Sequence, residues 1–94
     1  MSLSKEQLEE LENLAYKLVP IQIMAVILEV DELSFREELA LKGSDAYNAY
    51  FRGYGKLLVE QRESIIRAAK NGSTPAQEMV AKMITAFDNE LPIQ

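Results

Sequence analysis

Four basic side chains in the central part of the chain are the residues whose chemistry could serve binding. They are Arg36, Lys42, Arg52 and Lys56. Arginine and lysine neutralise backbone phosphates, and each neutralised phosphate contributes a salt slope of about −0.9 to duplex-DNA affinity. We therefore predict that any nucleic-acid contact is made mostly to phosphate, through these four side chains.

Catalytic residues are not indicated by the sequence. The chain has no histidine and no cysteine, which removes imidazole bases, thiol nucleophiles and the usual zinc ligands. Acidic pairs such as Glu9-Glu10 and Glu37-Glu38 occur, but adjacent residues of a helix do not face one another. A glycine-rich phosphate loop and a nucleophile signature are both missing. We expect a binding protein and not an enzyme, with no catalytic residue, metal site or cofactor.

Residues 46–56 combine four aromatic side chains with Arg52, Lys56 and two glycines. Such a segment could be a stacking platform for bases. The alternative is that the aromatic side chains are core, because they fall within one helical arc, and periodicity favours this alternative. Each glycine costs about 1 kcal/mol relative to alanine inside a helix, and a kink is the simplest reason for their presence.

Charge is distributed unevenly along the 94 residues, whose net charge is −5. Residues 1–41 hold three basic and nine acidic groups, a balance of −6, whereas residues 42–94 hold seven basic and six acidic groups, a balance of +1. An acidic total argues against strong non-specific nucleic-acid binding. Contacts with phosphate should therefore come from the second half.

The chain is predicted to be all-α and to form a single domain, 1–94. We expect an N-terminal trihelical, helix-turn-helix-like cluster over 4–41 and a long-helix antiparallel hairpin over 44–88, which is the candidate oligomerisation region. Ser4 with Gln7 is typical of a capping box, and Asp31 and Ser44 can cap later helices. Pro20 suits the start of a second helix, whose apolar face would be Ile23, Met24, Ile27 and Leu28. Thr74 with Gln77 predicts a second capping box, with Pro75 as the first helical residue, and an apolar face of Met79, Val80, Met83, Ile84 and Phe87 follows it.

A long fourth helix is predicted over Asp45 to Lys70. At 100° per residue its buried arc would comprise Tyr47, Tyr50, Phe51, Tyr54, Leu57, Leu58, Ile65, Ala68 and Ala69. A separate narrow seam contains Gly55, Val59, Arg62 and Ile66. Two β-branched residues seven apart, beside a glycine, suggest half of a helix–helix contact. We predict that this seam is an oligomer interface and that the protein is not a monomer.

Residues 23–35 have the apolar spacing of two short helices that cross at a tight turn. Ala25 allows close approach, while Leu28, Val30 and Phe35 would close a shared core. Glu29 occupies the turn position where glycine is usual, and a left-handed backbone there would be strained. The spacing predicts a helix-turn-helix-like unit with Phe35 in its core. An ordinary three-helix core with a solvated acidic face remains the alternative.

This order of elements resembles phage terminase small subunits. The similarity covers about residues 20–87: the short helix-turn-helix, the aromatic-rich residues 47–53 before a long helix, and residues 67–77 before a further apolar helix. The resemblance implies a helix-turn-helix that recognises packaging sites on viral DNA. It also implies a helical hairpin that builds a ring-shaped oligomer, and an assembly that regulates a separate ATPase-nuclease large subunit. A C-terminal extension of the kind that engages the large subunit is not seen.

Three classes of function follow. The first is a non-enzymatic phage or prophage DNA-packaging accessory that binds double-stranded DNA, oligomerises, and engages a terminase large subunit or another protein. The second is a protein–protein adaptor with a helix-turn-helix-like fold and no DNA readout. A small-molecule-binding bundle is least favoured, because polar groups that would orient a ligand are not evident. No apolar run reaches the ~18 residues of a membrane helix, and the acidic N-terminus does not resemble a signal peptide, so we expect a cytoplasmic protein without membrane contact.

Overall fold

The computed structural model describes residues 1–90 and is all-helical, as predicted. Five helices occur in this part of the chain: α1 (Lys5–Tyr16), α2 (Ile21–Leu28), α3 (Glu32–Ala40), α4 (Asp45–Lys70) and α5 (Thr74–Glu90). Residues 1–90 contain no strand. None of the helices within this range combines the length and the apolar character that crossing a membrane requires.

The starts of α1, α3 and α4 follow the predicted caps. In the capping box of α1, the Gln7 backbone N–H donates to Ser4 Oγ (3.1 Å), and the Ser4 N–H donates to Gln7 Oε1 (2.8 Å). The Asp31 carboxylate accepts from the backbone N–H of Ser34 at 3.0 Å. The hydroxyl of Ser44 likewise accepts from a first-turn backbone N–H of α4. These bonds satisfy donors that have no partner inside a helix.

The predicted capping box at the start of α5 is wrong by one residue. The cap is Ser73, whose hydroxyl accepts from the backbone N–H of Ala76 at 3.3 Å. The side chain of Gln77 does not accept from the backbone N–H of the cap residue, as a capping box requires. It donates instead to the carbonyl oxygen of Ala69 at 3.1 Å. Pro75 is therefore the second helical residue and not the first. Serine is a somewhat better cap than threonine, which agrees with Ser73 as the cap.

The chain divides into two compact units, Met1–Leu58 and Val59–Gln94, and the division falls within α4. The first unit contains a core contributed by α1, α2, α3 and the start of α4. Its buried members are Leu11, Leu14, Ala15, Met24, Ala25, Leu28, Phe35, Ala46 and Ala49. Phe35 has no exposed surface, which confirms it as a core residue.

The inward face of α4 in the first unit consists of small residues. Ala46, Ala49 and Gly53 are its buried positions, whereas Phe51 is 46% and Tyr54 37% exposed. The prediction that the aromatic arc is the buried face is therefore wrong for these two rings. The backbones of α4 and α1 approach so closely that bulky side chains do not fit between them.

Gly53 shows how close this approach is. A Cβ atom at position 53 would overlap the carbonyl oxygen of Glu12 and lie 3.1 Å from the backbone nitrogen of Tyr16. Gly55, two residues later, has no atom within 4 Å of the corresponding position. The helix α4 is assigned without interruption from residue 45 to 70. Close packing against α1 explains the glycine at 53, and the kink stays a prediction.

We predict opposite effects for Gly53→Ala and Gly55→Ala. The first forces an overlap with helix backbone and should lower the free energy of unfolding by at least the roughly 1–3 kcal/mol typical of overpacking. The second adds a methyl group in open space, so the higher helix propensity of alanine should raise stability by up to about 1 kcal/mol. Urea titration followed by circular dichroism measures both. Equal effects would contradict the α1–α4 contact.

Candidate functional site

The turn between α2 and α3 contains three residues, 29–31. Glu29 has φ 59° and ψ 46°, a left-handed conformation. The chain closes back on α2, because the Val30 N–H donates to the carbonyl oxygen of Ala25 at 3.0 Å. For a residue other than glycine this conformation costs roughly 1–2 kcal/mol. The strained backbone expected at Glu29 is thus present.

The outward surface of α3 carries both signs of charge, with acids in excess. Arg36 Nε lies 2.9 Å from Glu32 Oε2, one turn earlier on the same helix. Glu37 is exposed beside this pair, and the apolar side chain of Leu33 is 66% exposed. Of the four predicted phosphate ligands, Arg36 is therefore the one that lies on α3, and a carboxylate already contacts it.

Arg52 and Lys56 converge on one carboxylate of α1. Arg52 Nη1 lies 3.1 Å from Glu12 Oε1, and Lys56 Nζ bonds the other oxygen, Oε2. The two cations lower the pKa of Glu12, chiefly through the hydrogen bond from Lys56 and then through that from Arg52. Glu12 is therefore charged at neutral pH. Arg52 and Lys56 thus lie on one surface, and that surface includes an anion.

Glu12 is the residue that sequence reasoning missed. It is one of several acidic residues in α1, and about forty positions separate it from its partners. No local pattern distinguishes it from Glu9 or Glu10. Lys42, the remaining predicted phosphate ligand, is exposed between α3 and α4, and within residues 1–90 no ion pair involves it.

Four aromatic rings form a cluster on α4, in which Phe51 and Tyr54 are exposed and Tyr47 and Tyr50 are half-buried. The centroid of the Phe51 ring lies 4.7 Å from that of Tyr47, 5.1 Å from that of Tyr50 and 6.5 Å from that of Tyr54. Two shallow depressions of about 490 and 310 Å³ share Ile21, Tyr50 and Phe51 in their walls. Arg36 is the charged side chain that lines the smaller depression. Aromatic rings with a nearby cation can contact bases or apolar protein side chains.

The outward face of α2 is apolar. Met24 and Leu28 are buried as predicted, but Ile23 and Ile27 are each 47% exposed and Val26 is 72% exposed. Half of the predicted apolar face therefore points to solvent. Because every residue of α2 except Gln22 is apolar, periodicity could not identify its inward side. Contiguous apolar surface of this kind is typical of protein interfaces.

The second unit contains a cleft of about 390 Å³ between residues of α4 and α5. Arg62 and Ile66 of the predicted seam line it, together with Val80, Met83, Ile84, Ala86, Phe87 and Glu90. Ile84 and Phe87 remain 57% and 63% exposed. Of the other two seam residues, Val59 is 57% exposed and Gly55 faces open space. The seam is thus accessible for contact, and part of it borders the cleft.

Comparisons with protein-family models, curated proteins and solved structures found no significant match.

We predict that Glu29→Gly stabilises the first unit. Glycine adopts the left-handed conformation without the Cβ penalty, so the free energy of unfolding should rise by about 1 kcal/mol, although glycine also gains unfolded-state entropy. Glu32→Gly is the contrasting control, because the first turn of α3 gains nothing from glycine. Thermal melts of the three proteins provide the measurement. A lower melting temperature for Glu29→Gly than for the parent would argue against the turn geometry.

Proposed function

We propose that this chain is a non-enzymatic accessory protein of the phage DNA-packaging type, similar to a terminase small subunit. It would contact double-stranded DNA through a helix-turn-helix formed by α2 and α3, and it would self-associate through α4 and α5. The observation that carries the proposal is the three-residue turn with left-handed Glu29 between two short helices. The resemblance in the order of elements supplies the functional class.

Burial around the turn supports the helix-turn-helix interpretation. Ala25, Leu28 and Phe35 are 2%, 4% and 0% exposed. Val30 is partly buried against the same core. A small residue in the first helix and apolar residues at and after the turn are what two short crossing helices need. The α1 helix and the start of α4 would then support the motif.

DNA contact would be made chiefly to phosphates. Glu32 and Glu37 on the outward surface of α3 would repel the backbone, so the cations Arg36, Lys42, Arg52 and Lys56 must supply the attraction. All four are exposed. Because exposed ion pairs contribute only about 0–1 kcal/mol, a phosphate could compete for Arg36 or for the Arg52–Lys56 pair.

Self-association would use the hairpin that α4 and α5 are proposed to form. Val59 and Ile66 expose apolar surface on α4, and Ile84 and Phe87 do so on α5. Complete burial contributes about 1.5–3 kcal/mol for each such side chain. A second copy would cover this surface, and a terminase large subunit or another protein would be the further partner.

A protein–protein adaptor without DNA readout is the second candidate. The observation that favours it is the engagement of Arg36, Arg52 and Lys56 by carboxylates of the same chain. The uncharged exposed face of Ile23, Val26 and Ile27 offers a surface for a protein instead. Salt separates the two candidates, because binding to an apolar face lacks the steep salt dependence of phosphate contacts.

For DNA binding, we predict that Arg52→Gln with Lys56→Gln weakens affinity for a 20-base-pair duplex. Loss of two phosphate contacts should reduce the magnitude of the salt slope by about 1.8. Fluorescence anisotropy between low and moderate salt measures it. The control is Arg67→Gln with Lys70→Gln, which removes the same charge from the far end of α4. No binding by the parent at low salt would favour the adaptor.

For self-association, we predict a mass above that of a monomer at tens of micromolar protein, measured by light scattering on the eluting peak. Val59→Glu with Ile66→Glu should reduce it to the monomer while helicity is retained, because charged side chains resist burial. Gln61→Glu with Ser64→Glu adds the same charge to exposed positions off the seam and should not. A monomeric parent would rule out this interface.

A further inference from the structure

We propose that Glu12 is a built-in competitor for DNA phosphate. Its carboxylate occupies the anion position between Arg52 and Lys56 and thereby limits the affinity of this pair for DNA. The inference rests on the proposed DNA contact and adds a regulatory element that lies on a different helix from the cations.

The geometry of the three charged groups matches that of a phosphate site. Arg52 and Lys56 are four residues apart, so both side chains lie on one side of α4. Each bonds a different oxygen of the Glu12 carboxylate. Two non-bridging oxygens of a phosphodiester could accept from the same two donors. The Glu12 carboxylate therefore stands where the phosphate would bind.

Glu12 is held in place by its own backbone. Its carbonyl oxygen lies against Gly53, which sits between Arg52 and Lys56 on α4. The side chain consequently starts from a fixed point beside both cations. An acid elsewhere on α1, such as Glu9 or Glu10, has no such contact and remains exposed.

Access from solvent is unequal for the partners. The Glu12 side chain is 22% exposed, whereas those of Arg52 and Lys56 are 57% and 58% exposed. A phosphate can therefore reach the cations without moving a helix, while the carboxylate lies recessed beneath them. Exposed ion pairs are weak, so the exchange of carboxylate for phosphate is reversible.

The Glu32–Arg36 pair is not a recessed competitor of the kind proposed for Glu12. It joins neighbouring turns of one helix, and both of its side chains are nearly half exposed. Glu12 instead bridges α1 to α4, and it neutralises two cations with one carboxylate. Removing that single charge should therefore leave both cations free of an internal competitor for phosphate.

The test compares Glu12→Gln with the parent and with Glu9→Gln, which removes the same charge from the same helix. Anisotropy of a labelled 20-base-pair duplex is measured across a salt series. Glu12→Gln should bind roughly two- to twentyfold more tightly, since two weak pairs no longer compete. Its salt slope should stay near that of the parent, because the same two cations contact phosphate in both complexes. Glu9→Gln should not show the gain in affinity.

A second comparison tests whether the gain in DNA affinity comes from Arg52 and Lys56. Glu12→Gln combined with Arg52→Gln and Lys56→Gln should lose the added affinity. If Glu12→Gln binds DNA no better than Glu9→Gln, while the parent still binds, the inference fails and the proposed function stands. If neither the parent nor Glu12→Gln binds at low salt, both fail. Binding by Glu12→Gln alone supports the competitor and shows that the parent is held inactive.

The unaltered protein offers an independent readout should Glu12→Gln fold poorly. In a sample labelled with carbon-13, the side-chain carboxyl resonance of Glu12 should shift when the duplex is added, because phosphate displaces it from Arg52 and Lys56. The resonance of Glu9 should stay in place. A Glu12 resonance that does not move at saturating DNA would overturn the proposal.

Discussion

The close approach of α4 to α1 at Gly53 is the contact on which the rest of the first unit depends. Because backbone meets backbone there, the inward positions of α4 must be small, and Ala46, Ala49 and Gly53 fill them. Phe51 and Tyr54, which are too large for this face, lie at the surface. The exposure of Phe51 and Tyr54 is therefore a consequence of the tight packing of α4 against α1.

The same contact determines the electrostatics of the candidate site. It places Glu12 beside Arg52 and Lys56, and the three groups form a bridge between helices that are distant in sequence. An acidic protein has few cations to offer to phosphate, and here an internal carboxylate contacts two of them. Arg52 and Lys56 are therefore engaged by a carboxylate of the same chain.

Within residues 1–90, positive φ occurs at two residues that are not glycine, Leu18 at 60° and Glu29 at 59°. Both lie between helices, one before and one after α2. Leu18 is 59% exposed in spite of its apolar side chain. Between these two turns, α2 buries Met24, Ala25 and Leu28 and leaves Ile23, Val26 and Ile27 at the surface. Burial of the first three against the core is the free-energy gain that can offset the strain at the turns.

Local chemistry accounts for what could be predicted: the all-α class, the caps at Ser4, Asp31 and Ser44, the limits of α4 and the burial of Phe35. Caps and helical periodicity act over three or four residues, so they are visible in the amino-acid order. The inward face of α2 could not be predicted, because nearly all of its side chains are apolar. The prediction for the inward face of α4 was wrong, because apolar periodicity gives most weight to large aromatic side chains. The short distance between the backbones of α1 and α4 instead permits only small residues on that face. The partnership of Glu12 with Arg52 and Lys56 arises only when folding brings together residues about forty positions apart, and no local pattern records that distance.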